Sequence, residues 1–95
     1  MRKFAKIDDN QRKIVAALRE IGATVQSLAS IGKGCPDIIV GFRGKNILME
    51  IKRDDLPPSK QRLTADESAW HDAWRGSVAI VKNADEAIQA MEFMA

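Results

Sequence analysis

Asp37, Glu50 and Lys52 bring two carboxylates and an amine into a span of sixteen residues, in a context that lets them meet. Gly34-Cys35-Pro36-Asp37 runs into the apolar stretch Ile38-Ile39-Val40, a glycine turn follows, and Ile47-Leu48-Met49 then leads to Glu50-Ile51-Lys52. Asp37 is expected at the mouth of one strand. Glu50 and Lys52, two residues apart on the next strand, must project from one face because successive side chains alternate. A hairpin through Arg43-Gly44-Lys45-Asn46 brings all three together. Two carboxylates so placed suit a hard divalent cation, since magnesium prefers oxygen ligands and keeps several waters. In phosphodiester hydrolysis such a cation offsets charge on the phosphate, orients an attacking water and lowers its pKa. Lys52 could hold or help deprotonate that water while its ammonium attracts the phosphate.

Each residue also has an ordinary explanation: Asp37 as a turn residue after Pro36, Glu50 and Lys52 as a solvated pair at a strand end. With 13 acidic residues and 8 lysines in 95, about one acid-x-Lys triplet is expected by chance, so the triplet decides nothing alone. Its setting does: it ends a strand, and a Pro-Asp precedes it by one hairpin's length.

Gly34-Cys35-Pro36-Asp37 and Glu50-Ile51-Lys52 resemble the G-x-P-D and E-x-K motifs of the VRR-NUC family within the PD-(D/E)xK nuclease superfamily. The likeness runs along nearly the whole chain. Asp9-x-Gln11, Ile14-Val15, Ala17-Leu18-Arg19, Leu63-Thr64, Trp70-His71, Trp74-Arg75-Gly76 and Asp85-Glu86-Ala87 are similar to small stand-alone members from bacteriophages and prophages. The resemblance implies an α/β, restriction-endonuclease-like fold, an αβββαβ core with a mixed central sheet flanked by helices, here with an extra C-terminal helix. It implies magnesium or manganese held by Asp37, Glu50 and the Ile51 main-chain carbonyl, with Lys52 as catalytic lysine. It implies a DNA endonuclease leaving 5′-phosphates, selective for branched substrates such as four-way junctions. Many VRR-NUC proteins border the centre with an acid on the first helix, where Asp9 matches best. They also carry a glutamine on the second helix, where this chain has Glu67, either a third metal ligand or a helix cap. Gln61 lies nearby, in what reads as a loop.

The residues organise themselves in the same order without the family. Asp8-Asp9 offers a helix N-cap, Ile14, Val15, Leu18 and Ile21 share a helical face, and Gly22 supplies the stop. Residues 24–28 alternate like a strand, and Ser30-Ile31-Gly32-Lys33-Gly34 is expected to be a mobile connector. The runs 38–40 and 47–49 read as central strands covered on both faces. Residues 53–62 are polar, and Pro57-Pro58 argues against helix there. Thr64-Ala65-Asp66-Glu67 has the form of a capping box opening a helix to about Arg75, with Gly76 as its end. Residues 78–81 form a fourth strand. Asn83-Ala84-Asp85-Glu86 opens a last helix with Ala84, Ala87, Ile88 and Met91 inward. The order is αβββαβα.

A chain of 95 residues makes one domain with one core, small for an enzyme that grips a long substrate, and a homodimer is expected. A net charge of +2 hides an uneven distribution: residues 1–32 and 33–62 each carry +3, and residues 63–95 carry −4. The positive side is the side of the candidate centre, as phosphate binding requires. Lys33, Arg53, Lys60 and Arg62 are the candidate DNA contacts. One cysteine excludes an internal disulfide, and no zinc spacing, signal-peptide core, membrane span or organic-cofactor motif is present in the sequence. The expected setting is the cytoplasm of a bacterium or a phage-infected cell. Cys35 reads as a small buried residue and His71 as a helix-face residue. Trp70 and Trp74, four apart, share a face that suits core packing or a dimer contact more than base stacking. Two rival functions remain: a DNA-binding module of the same fold that cuts weakly or needs a partner, and a structural subunit assembling through the last helix and the tryptophans.

Overall fold

The computed structural model describes residues 9–94, so the expected N-cap Asp8 lies outside the described residues. The chain forms α1 (Asp9–Glu20), β1 (Thr24–Ser27), β2 (Ile38–Phe42), β3 (Lys45–Ile51), α2 (Pro58–Gln61), α3 (Ala65–Ala73), β4 (Val78–Val81) and α4 (Ala84–Met94). The strands make one mixed sheet in the order β1-β2-β3-β4, antiparallel except for the parallel pair β3 and β4. This is the expected α/β architecture, with one short helix added.

Period decides what each element buries. On α1, Ile14 and Leu18 are four residues apart and fully buried. Ile21 does not join them. Gly22 takes φ 97°, its N–H bonds the Arg19 carbonyl and that of Ala23 bonds Leu18, a Schellman stop that turns Ile21 out to solvent. In the sheet, Ile38 and Val40 of β2, Ile47 and Met49 of β3 and Val81 of β4 point to one face. There they meet Ile14 and Leu18 from α1 and Ala87 and Met91 from α4.

The opposite face, carrying Leu48 and Glu50, is covered only in part: Ile39 is half-buried and Ile80 is 46% exposed. Of the two central strands, β3 is buried on both faces over residues 47–50, as expected, whereas on β2 the second face is only half-buried at Ile39.

The β2–β3 hairpin turns in two residues, Arg43 (φ 52°) and Gly44 (φ 78°), closing Phe42 against Lys45. Both residues lie in the left-handed region, the type I′ geometry that matches strand twist. Residues 53–62 are not wholly loop. Pro58 sits in the first turn of α2, where proline lacks only an N–H that would have no helical partner anyway. Thr64 caps α3 as expected, but the helix stops at Ala73, short of Arg75, with Trp74 already extended at ψ 134°. The connector before Asp37 is a series of hydrogen-bonded turns, Ile31 N–H to Leu28 O and Cys35 N–H to Gly32 O. Among the described residues no helix is long and apolar enough to cross a membrane.

Candidate metal centre

Register builds the centre. Ile38 pairs with Met49, so one step outward Asp37 stands across from Glu50 on the incompletely covered face. Asp37 is fixed from both sides: its N–H donates to the Met49 carbonyl at 3.0 Å and its carbonyl accepts from Leu28 at 2.8 Å. Its side chain is fixed as well, with Oδ2 accepting from the Ile51 N–H at 2.7 Å. Glu50 is 2% exposed, and its Oε1 is fully buried with no hydrogen-bond partner among the described residues. Two steps on, Lys52 projects on the same side, its Nζ 3.9 Å from Glu50 Oε2.

Burying two carboxylates face to face favours the protonated form. Glu50 is pushed up to about 9, by burial first, then by the charges of Asp37 and Glu67. Burial also raises Asp37, against the pull of the Ile51 N–H, a hydrogen bond with Glu50 and the Lys52 charge. Both carboxyl groups are thus held above their ordinary range. The half-buried Cys35 thiol is raised too, by burial and then by Glu50 and Asp37, which makes it a poor nucleophile.

Glu67 enters from α3. Its Oε1 accepts from Lys52 Nζ at 2.7 Å and from the Thr64 N–H at 2.9 Å, while its own N–H donates to Thr64 Oγ1 at 3.2 Å. Burial pushes this carboxyl up, yet the Lys52 and Thr64 hydrogen bonds outweigh it and leave Glu67 below the ordinary glutamate range. One carboxylate thus completes a capping box and holds the lysine.

No family model matches the chain, and no curated protein or solved structure matches it.

Three further residues, which the sequence did not single out for this, brace the centre. Asn10 Nδ2 donates to the carbonyls of both Lys52 and Lys82 at 3.0 Å, tying α1 to the chain just past β3 and β4. Gly34, at φ 82°, lies so close to α3 that a Cβ there would come within 2.3 Å of the Asp66 carbonyl oxygen. That contact seats the loop leading to Asp37 on the first turn of α3. Pro36 is fully buried beside it. An asparagine one position from the acid that the pattern favoured, and a glycine inside the motif, were the only signals available.

Asp37, Glu50, Lys52 and Glu67 come together, and Ile51, whose carbonyl was an expected ligand, is bonded to Asp37 through its N–H. Asp9 does not join them. Its side chain is 87% exposed and pairs with Arg12 at 3.2 Å, because it lies at the solvent side of the first turn while Asn10 faces inward. Gln61 is in α2, not a loop, and its Nε2 closes the segment on itself by donating to the Leu56 carbonyl at 2.6 Å. Lys33, Lys60 and Arg62 are exposed, and Arg53 makes a two-point pair with Asp55 at 3.0 and 2.7 Å.

The donor set fits a hard cation in a specific way. Among the described residues no group of three His, Cys, Asp or Glu side chains is arranged to hold a metal. Asp37 and Glu50 offer two carboxylates, one with a buried oxygen lacking any donor, which is the polar atom a cation would satisfy. Magnesium needs no more than that from a protein, because water fills its other positions.

Proposed function

We propose that this chain is a metal-dependent DNA endonuclease of the PD-(D/E)xK type, acting on phosphodiester bonds of branched DNA as a homodimer. The observation that carries the reading is the Asp37–Glu50 cross-strand pair with Lys52 Nζ 3.9 Å from Glu50 Oε2 and the buried Glu50 Oε1 without a donor. A purely structural site gains nothing from setting a half-buried carboxylate against a buried one. Magnesium or manganese bound by Asp37, Glu50 and the Ile51 carbonyl would supply charge stabilisation at the phosphate and a water of lowered pKa.

The protein's part is placement. The Ile51 N–H spends Asp37 Oδ2 and fixes that carboxylate, leaving the other Asp37 oxygen and the Glu50 oxygens as donors. Lys52, steadied by Glu67, offers Nζ to a phosphate oxygen or to the attacking water. Exposed Lys33, Lys60 and Arg62 supply cations for the DNA backbone. Two copies related by a two-fold axis would present two centres for paired cuts.

The test is cleavage of labelled four-way junction, flap and linear duplex DNA with magnesium, manganese or EDTA, by wild type and Lys52→Ala. Metal-dependent cutting lost in the variant supports the proposal. The 2.7 Å Lys52–Glu67 pair favours a second reading, a DNA-binding module whose lysine is engaged elsewhere. Tight binding to every substrate with no cutting would select that reading.

A further inference from the structure

Trp70 of α3 and Trp74 just past its end are not core residues. Trp74 is 44% exposed, Trp70 is half-buried, and the two indoles stack with centroids 4.6 Å apart and planes 18° apart. Trp74 thus offers part of a rigid π surface to solvent, backed by Trp70.

Its position suggests one. Trp70 follows Glu67 by three residues, and Trp74, the C-cap just past α3, follows it by seven, so Glu67 and Trp70 share a stripe of α3 that Trp74 continues at its end. Glu67 is in contact with Lys52, which sets the start of the stripe at the centre. At the rise of a helix Trp74 is about 10 Å further along, roughly three nucleotide steps of a B-form strand. Arg75 follows, exposed, its Nη1 donating to the Asp72 carbonyl at 2.9 Å. Asp72, two residues from either tryptophan, falls off their face. Gly76 passes so close that a Cβ there would lie 2.8 Å from Trp74 Nε1, so the turn after α3 holds the ring in place.

We propose that the Trp70–Trp74 stack is a subsite for an unpaired nucleobase of DNA, which adds its ring to the exposed indole while the adjoining backbone lies towards the centre. This rests on the nuclease reading for its substrate and goes beyond it by naming what makes a branched substrate preferable. In duplex DNA both faces of each base are already stacked, and only an unpaired base has a free π face to offer. The stack is formed before binding, so little ordering entropy remains to oppose the contact.

The experiment uses a gapped duplex with 2-aminopurine at an unpaired position, and a fully paired control, bound in EDTA so that no strand is cut. Wild type is expected to quench the probe in the gap. Trp74→Ala and Trp74→Leu should lose that quenching and bind the gapped DNA roughly fivefold to a hundredfold more weakly, the range for base–aromatic stacking, whereas Trp74→Phe should keep most of both. Trp74→Leu retains apolar bulk without a π face, and circular dichroism of each variant verifies folding. Equal quenching and affinity in folded Trp74→Leu would overturn the subsite, as would dissociation of a wild-type dimer into monomers on that substitution. Cutting by wild type with unchanged binding in the variants sinks the subsite and leaves the nuclease. Tryptophan-dependent quenching without metal-dependent cutting sinks the nuclease and leaves the subsite.

Discussion

Glu50→Gln should stabilise the metal-free protein, and increasingly so as pH rises. Glu50 is 2% exposed, faces Asp37, and has its carboxyl pushed up from 4.5 to about 9. Below pH 4.5 the carboxyl is protonated in the folded and unfolded chains alike, and its titration leaves stability unchanged. Between those values the unfolded chain has released a proton that the folded chain retains, so unfolding becomes easier by about 1.4 kcal/mol per pH unit. At pH 7 the accumulated loss is roughly 3 kcal/mol, a large share of the 5–15 kcal/mol typical of a domain. Glutamine is nearly isosteric and does not titrate. Urea unfolding of wild type and variant at pH 5, 6, 7 and 8 in EDTA reads the difference. The two should nearly coincide at pH 5 and separate progressively above it, the variant being the more stable. Magnesium should narrow the gap by stabilising wild type alone. Parallel curves with a pH-independent difference, or a variant less stable at pH 8, would refute the argument that this carboxylate is held in a place unsuited to its charge.

Asp37→Asn should abolish metal-dependent cleavage and cut the magnesium-induced rise in Tm, measured by gel assay and thermal unfolding. Lys52→Ala should lose cutting while retaining DNA affinity in a binding titration. Glu67→Gln keeps a capping-box side chain and should retain or increase activity, whereas Glu67→Ala removes the acceptor of the Thr64 N–H and of Lys52 and should cost about 1 kcal/mol of stability, read from denaturant midpoints. Gly34→Ala places a Cβ against the Asp66 carbonyl at a positive φ and should destabilise the fold by roughly 1–3 kcal/mol, and full stability would show that α3 can shift freely.

The sheet was legible because its strands are short apolar runs separated by glycine, and the 37–50 pairing followed from alternation once the hairpin was placed. Ends were harder. Ile21 belongs to the helical pattern of α1 but falls after its last turn, and Arg75 lies past a helix that Trp74 leaves early. Pro57-Pro58 reads as a helix breaker, yet the second proline opens α2. Within the site, Asp37, Glu50 and Lys52 were visible as a constellation, while Asp9 was misplaced because helical position distinguishes neighbours by about 100° and motif spacing does not. Glu67 was visible as a cap, but its grip on Lys52 depends on where α3 lies against the sheet. Trp70 and Trp74 have a core-like spacing, but no residue of α3 is fully buried and Trp74 is exposed.

Asn10 has a consequence for how the molecule comes into being. Its single amide group bonds carbonyls 42 and 72 residues further along the chain. During synthesis the first of these partners emerges together with Glu50, but the second, Lys82, and the β4 strand before it arrive only after α3 has been made. Until then the end of β3 lacks its parallel neighbour, and the amide can close only one of its two loops. The carboxylate pair therefore cannot be fully braced on a nascent chain, and the centre is completed only when nearly the whole domain has left the ribosome.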